Sequence, residues 1–129
     1  MTGAFSWAPL LAVAAGSAFG GVLRWLVGLW LNARWSGFPL GTLVVNCVGG
    51  ALIGLALAWF QRMPDELLRL LLVTGVLGGL TTFSSFSGES LLLLQRGEWL
   101  LAVGHTLAHL LGALACAAIG FRLMAALLG

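Results

Sequence analysis

The chain has no lysine, and only 8% of its residues are charged, against about 25% in a typical soluble domain. It is 129 residues long and 60% hydrophobic. No soluble fold of this size hides that much apolar surface, so the bilayer is the expected solvent. The six basic residues, all arginine, leave a net charge of +2, too small and too scattered for a nucleic-acid surface. No nucleic-acid partner is expected. Cysteine is scarce too. Cys47 and Cys116 both fall inside apolar runs and allow only one pair, which excludes a disulfide framework. They read as buried free thiols acting as small apolar residues. There is no linker and no low-complexity tail. No cleavable leader is expected, because the first apolar run has no basic region before it and continues too far.

What is present is four long apolar runs. Turn residues and charges place them at about Pro9 to Leu31, Leu40 to Phe60, Leu67 to Leu94 and Trp99 to Phe121. A crossing needs roughly 20 residues, so each qualifies, and residues 1–129 read as one four-span membrane domain. The connections are short. Asn32 to Pro39 has turn composition, Gln61 to Glu66 contains Pro64 and Asp65, and Gln95 to Glu98 is barely a turn. Asp65 is placed to cap the third span. The last turn makes spans three and four antiparallel neighbours. Trp7, Trp30, Trp35, Trp59 and Trp99 lie near span ends, as an interfacial aromatic belt requires.

Small residues recur every four positions: Gly16 and Gly20, Gly50 and Gly54, then Gly104, Ala108, Gly112, Cys116 and Gly120 in span four. Such ridges let helix backbones touch where no hydrophobic effect drives packing. Arginines divide evenly. Arg62, Arg69 and Arg122 fall on one side, and Arg34, Arg96 and the nearby Arg24 on the other. Orientation normally follows an arginine and lysine excess, so a tie predicts insertion both ways and an inverted pair about an in-plane two-fold axis. Four helices filling their own core leave no pore, which places an ion path between subunits.

Residues 75–90, GVLGGLTTFSSFSGES, interrupt the third run. Glycines loosen a helix, and hydroxyls cannot stay unpaired in hydrocarbon. Irregular backbone at that depth is tolerated where it is buried or lines a watery cavity, and transporters use it to face ions. A helix that stops near Gly78 to Thr82 aims unpaired carbonyls inward; two such ends would make a small oxygen cage for a cation such as sodium. The restarting half near Phe83 offers N–H groups to an anion. A packed kink with no ligand is the alternative.

Several side chains could carry chemistry. Phe83 and Phe86 are three apart and share a face, and their ring edges are electropositive; the bland reading is core packing. Asn46 lies in mid-span with Thr42 one turn earlier, and Ser84, Ser85 and Ser87 add donors. Glu89 is the single carboxylate well inside a span, hence a functional candidate, a protonated structural group or a partner of Arg24. His105 and His109 lie one turn apart, spacing that suits a metal with Cys116 on roughly the same face, or pore-lining imidazoles.

Together GGVLRW, GTLVVNCVGG and GVLGGLTTFSSFS resemble the Fluc, or CrcB, fluoride channel family, in span order and over essentially the whole chain. The resemblance implies an all-α membrane protein with a broken third helix, assembled as an antiparallel, dual-topology homodimer. It implies passive, chloride-rejecting fluoride export that relieves toxicity at the bacterial plasma membrane, without enzymatic activity. By motif position it makes Asn46, Phe83 and Phe86 pore residues. Gly78 and Thr81 become carbonyl donors to a central structural sodium ion. Thr42, Ser84, Ser87 and Glu89 join the polar path, and Arg24 stands near the pore entrance. Ser85 replaces a threonine common in the family. In span four the family pattern has a tyrosine and a serine near His105 and His109; both histidines can still donate hydrogen bonds and stand as candidate pore residues, but the carry-over stops there. The other readings are a proton-coupled exporter like the small multidrug-resistance proteins, with its one membrane acid, and a metal carrier built on His105 and His109.

Overall fold

A computed structural model describes residues 5–34 and 37–129; Trp35 lies outside them. With no water in the bilayer core, a spanning backbone must satisfy its own polar groups, and this apolar chain does so as helix. Helix α1 (Trp7–Leu31) continues into a short 3₁₀ turn, Asn32–Arg34, and α2 is Leu40–Arg62. The third crossing begins as α3 (Glu66–Arg69), widens to a π-helical stretch over Leu70–Leu77 and ends in the single turn α4 (Gly78–Leu80). Thr81 and Thr82 are extended, and α5 (Phe83–Gln95) follows. Helix α6 is Trp99–Leu128. Among the described residues, four segments are long and apolar enough to cross a membrane.

The ends follow local chemistry. Asp65 Oδ1 accepts from the Leu68 amide at 2.9 Å and caps α3. Helix α5 closes on Gly97, whose φ of 75° only glycine adopts without strain. The Gly97 and Glu98 amides then bond back to the Leu94 and Leu93 carbonyls, and the chain reverses into α6. Helix α6 runs seven residues beyond the expected end at Phe121, because Arg122 to Leu128 is as good a helix former as what precedes it. Trp7, Trp30, Trp59 and Trp99 stand partly or fully exposed near helix ends, and the Arg34 guanidinium sits 4.5 Å over the Trp30 ring.

Two tight seams hold the bundle. A Cβ added at Gly50 would lie 2.5 Å from the Ala113 carbonyl oxygen, and one at Gly54 would collide with that of Ala117. So α2 and α6 meet backbone to backbone. In the same way Gly16 faces Gly75, where an added Cβ would come 2.9 Å from the facing Cα, joining α1 to the third crossing. The glycine ridge of span four is used only in part: Gly112 and Gly120 meet α2, but nothing lies within 4 Å of a Cβ at Gly104. The core is thin, centred on Val45, Leu77 and Leu80, while large apolar side chains such as Leu100 and Phe19 point outward.

Candidate ion-conduction site

Asn46 and the two extended threonines organise the site. The Thr82 amide would ordinarily bond the Gly78 carbonyl, one turn back. It donates instead to Asn46 Oδ1 at 2.8 Å, and Asn46 Nδ2 donates to the Thr82 carbonyl at 3.0 Å. The side-chain amide thus replaces the helix ladder on both polar groups of one residue. Thr82 Oγ1 accepts from the Ser85 amide at 3.1 Å and caps α5. Thr81 Oγ1 donates to the Leu77 carbonyl at 2.8 Å. Gly78 is left with its regular amide partner diverted, and it lines one groove with Thr81. Main-chain oxygens of this kind suit a hard cation, so the chemistry expected for sodium at Gly78 and Thr81 fits the residues present.

That groove, about 430 Å³, is also lined by Asn46, Thr82, Phe83, Phe86 and His109. Phe83 is 73% exposed at its mouth and Phe86 only 6% exposed, their centroids 5.3 Å apart and their planes at 63°. Phe86 packs 4.7 Å from the His109 ring and 5.6 Å from that of His105. The pair therefore does share a face, but one ring is free and the other is wedged against two imidazoles.

Thr42 Oγ1 donates to Glu89 Oε1 at 2.5 Å, and His105 Nε2 lies 3.2 Å from Glu89 Oε2. Both carboxylate oxygens are engaged. The alternative pairing of Glu89 with Arg24 is not what forms: Arg24 Nε donates to the Gly79 carbonyl at 3.0 Å. The guanidinium instead serves a carbonyl in the last turn before the break, where regular helical partners run out. Arg24 and Glu89 do line one outer vestibule of about 360 Å³, with Thr42 and Ser85. His105 Nδ1 meets Ser90 Oγ at 2.8 Å, and His109 Nδ1 meets Asn46 Nδ2 at 3.0 Å.

Cys116 does not join the histidines. It faces Cys47 across the α2–α6 seam, both as free thiols. The third group beside His105 and His109 is Glu89, with one ligand-capable atom of each within 4.8 Å of the others. Ser84 and Ser87 stay on the exposed side of α5. Ser87 Oγ bonds back to the Phe83 carbonyl at 2.9 Å, and Ser84 Oγ lies 3.3 Å from Thr82 Oγ1. Ser90, Thr106 and Phe38 were not singled out by sequence. Ser90 reaches His105 from α5, Thr106 of α6 meets Ser90, and Phe38 packs its ring on His105 from the α1–α2 connection; no spacing within one helix signals the contacts of Ser90 and Phe38.

The family model described as CrcB-like protein, Camphor Resistance (CrcB), matches residues 11–121. A fluoride-specific ion channel FluC of Aromatoleum aromaticum is 49% identical over 123 residues, covering 94% of each chain. One of Bordetella petrii is 53% identical over 112 residues, covering 85% of this chain and 86% of its own. One of Pseudomonas aeruginosa is 46% identical over 125 residues, covering 95% and 98%.

Proposed function

The chain belongs to the CrcB-like family, and from that premise we propose that it is a fluoride-selective channel that lets the ion leave a bacterial cytoplasm passively and so lowers its toxicity. The supporting observation is the Asn46–Thr82 clamp, which keeps extended backbone, amide donors and two phenyl edges together at membrane depth. Fluoride is small and strongly hydrated. A path must return in hydrogen bonds what it strips in water, and compact donors return less to a larger halide. Arg24 and the Thr42 hydroxyl border the outer vestibule, and Phe83 and Phe86 offer positive ring edges further along. Glu89 would repel an anion if bare, but two donors hold it.

The working unit on this reading is an antiparallel, dual-topology homodimer in the plasma membrane. Three features support it: the even split of arginines, the open groove with Phe83 at its mouth, and a core too thin to enclose a pore. The third helix is then functionally broken at Thr81 and Thr82. The carbonyls of Gly78 and Thr81 from two copies would hold a sodium ion at the axis. When bound, that ion supplies positive charge that joins the two breaks.

Proteoliposomes loaded with fluoride test the reading. An electrode should record rapid fluoride efflux that needs no proton gradient, with chloride-loaded vesicles silent. Efflux that depends on a proton gradient would instead favour an exporter. That class needs an acid open to its cavity, whereas both Glu89 oxygens are occupied.

A further inference from the structure

We propose that His109 is an anion donor on the conduction path, and that Asn46 sets the tautomer that makes it one. The inference rests on the channel reading above. It starts from the orientation of one amide. The Thr82 N–H points at Asn46 Oδ1, so that atom is the carbonyl oxygen and the other end is the NH₂. The NH₂ can only donate. It donates to the Thr82 carbonyl and to His109 Nδ1, each at 3.0 Å. His109 Nδ1 must then present its lone pair, and the proton of the neutral ring sits on Nε2.

That Nε2–H is buried and has no hydrogen-bond partner among the described residues. His109 as a whole is 4% exposed. A buried donor left unmade is costly, so this one calls for an acceptor from outside the described residues. His109 lines the groove that holds Asn46, Phe83 and Phe86, and the Phe86 ring closes one side of the imidazole. So little of this atom is open that only a compact, strong acceptor can reach it. Fluoride is the ion of that description on the proposed path.

The neighbours argue against a cation there, although Glu89, His105 and His109 cluster closely enough to suggest a metal. His105 turns Nε2 to the Glu89 carboxylate at 3.2 Å, so this nitrogen carries a proton. Its Nδ1 meets the Ser90 hydroxyl. Ligation by His109 Nε2 would drive its proton to Nδ1, against the Asn46 NH₂. His105 therefore commits its Nε2–H to Glu89 and His109 carries its proton on Nε2, where a metal would need a lone pair.

The test uses the full chain in lipid nanodiscs, with ¹⁵N-labelled histidine and a His109→Gln variant to assign the resonances. At about pH 8, where histidine is ordinarily neutral, the expected spectrum has His109 protonated at Nε2 and bare at Nδ1. Sodium fluoride should shift the Nε2 signal saturably, and sodium chloride should leave it in place. In liposomes His109→Leu should lose fluoride flux by roughly tenfold or more. His109→Gln, which can accept from Asn46 and still donate, should recover part of that loss. The proposal is overturned by a proton on Nδ1, or by zinc chloride displacing the Nε2 proton. It is also overturned if wild-type protein conducts fluoride without a His109 shift, or if His109→Leu conducts normally. Wild-type protein that binds fluoride at His109 but conducts none would sink the channel reading and leave this site standing; neither binding nor conduction would sink both.

Discussion

Asn46 and Thr82 exchange two hydrogen bonds across 36 residues of sequence, one in each direction, as neighbouring strand residues do. The pairing lets the third crossing leave its helix without stranding a backbone amide in hydrocarbon. Asn46→Asp removes the NH₂, and with it the bonds to the Thr82 carbonyl and to His109, and adds a negative charge beside the path. Fluoride efflux should fall by about a hundredfold or more. An electrode trace from liposomes, at matched protein content, checks this. Normal efflux would mean that the ion travels elsewhere.

The two phenylalanines should separate under mutation, because one is exposed and the other buried. Phe83→Ile should slow the flux and leave thermal stability within about 0.5 kcal/mol, as surface substitutions do. Phe86→Ile should slow the flux and also cost about 1–3 kcal/mol, since a branched chain replaces a ring wedged between helices. Melting curves in detergent, run beside flux assays, compare the pair.

The α2–α6 seam makes a sharper stability prediction. Gly54→Val drives a side chain into the Ala117 carbonyl, a collision with backbone that no rotamer relieves. Purified yield and melting temperature should both fall steeply. Gly104→Ala, on the same helix pair but in open space, should change stability by less than about 0.5 kcal/mol. Equal loss for both would show that the seam is not where the bundle is held.

Arg24 binds the Gly79 carbonyl and supplies positive charge at the outer vestibule. Arg24→Ala should lower flux by about tenfold at low ionic strength. The deficit should narrow as inert salt is added, because screening lowers the wild-type advantage. Flux measured across a series of potassium glutamate concentrations reads the trend. A deficit independent of salt would assign Arg24 to the carbonyl alone.

Span number and the helical turns were legible in the sequence because bilayer thickness and turn chemistry act locally. Asp65, Gly97 and the apolar runs announce themselves within a few residues. Helix ends were less legible: α6 continues through Arg122, because a helix that has left the hydrocarbon has no local reason to stop there. The roles of Asn46, Phe83 and Phe86 rested on a motif. The contacts that define the site did not show. Thr42 reaches Glu89 across 47 residues and Glu89 reaches His105 across 16. Periodicity fixes which residues share a face, but it does not fix how one helix is rotated against the next. So Cys116 looked like a companion of the histidines on its own helix, and in three dimensions it belongs to Cys47.

The wide-turned stretch Leu70–Leu77 carries a spare residue in its winding. Deleting one amino acid there would let the coil tighten to ordinary pitch and leave everything downstream facing as it does now, because the wide turn holds about one residue of slack. Gly79 would stay against α1, and the aromatic pair would still face Asn46. An added residue finds no such slack: at ordinary pitch it would swivel the downstream helix by about 100°, so a one-codon insertion within the segment should be harsher than a one-codon deletion.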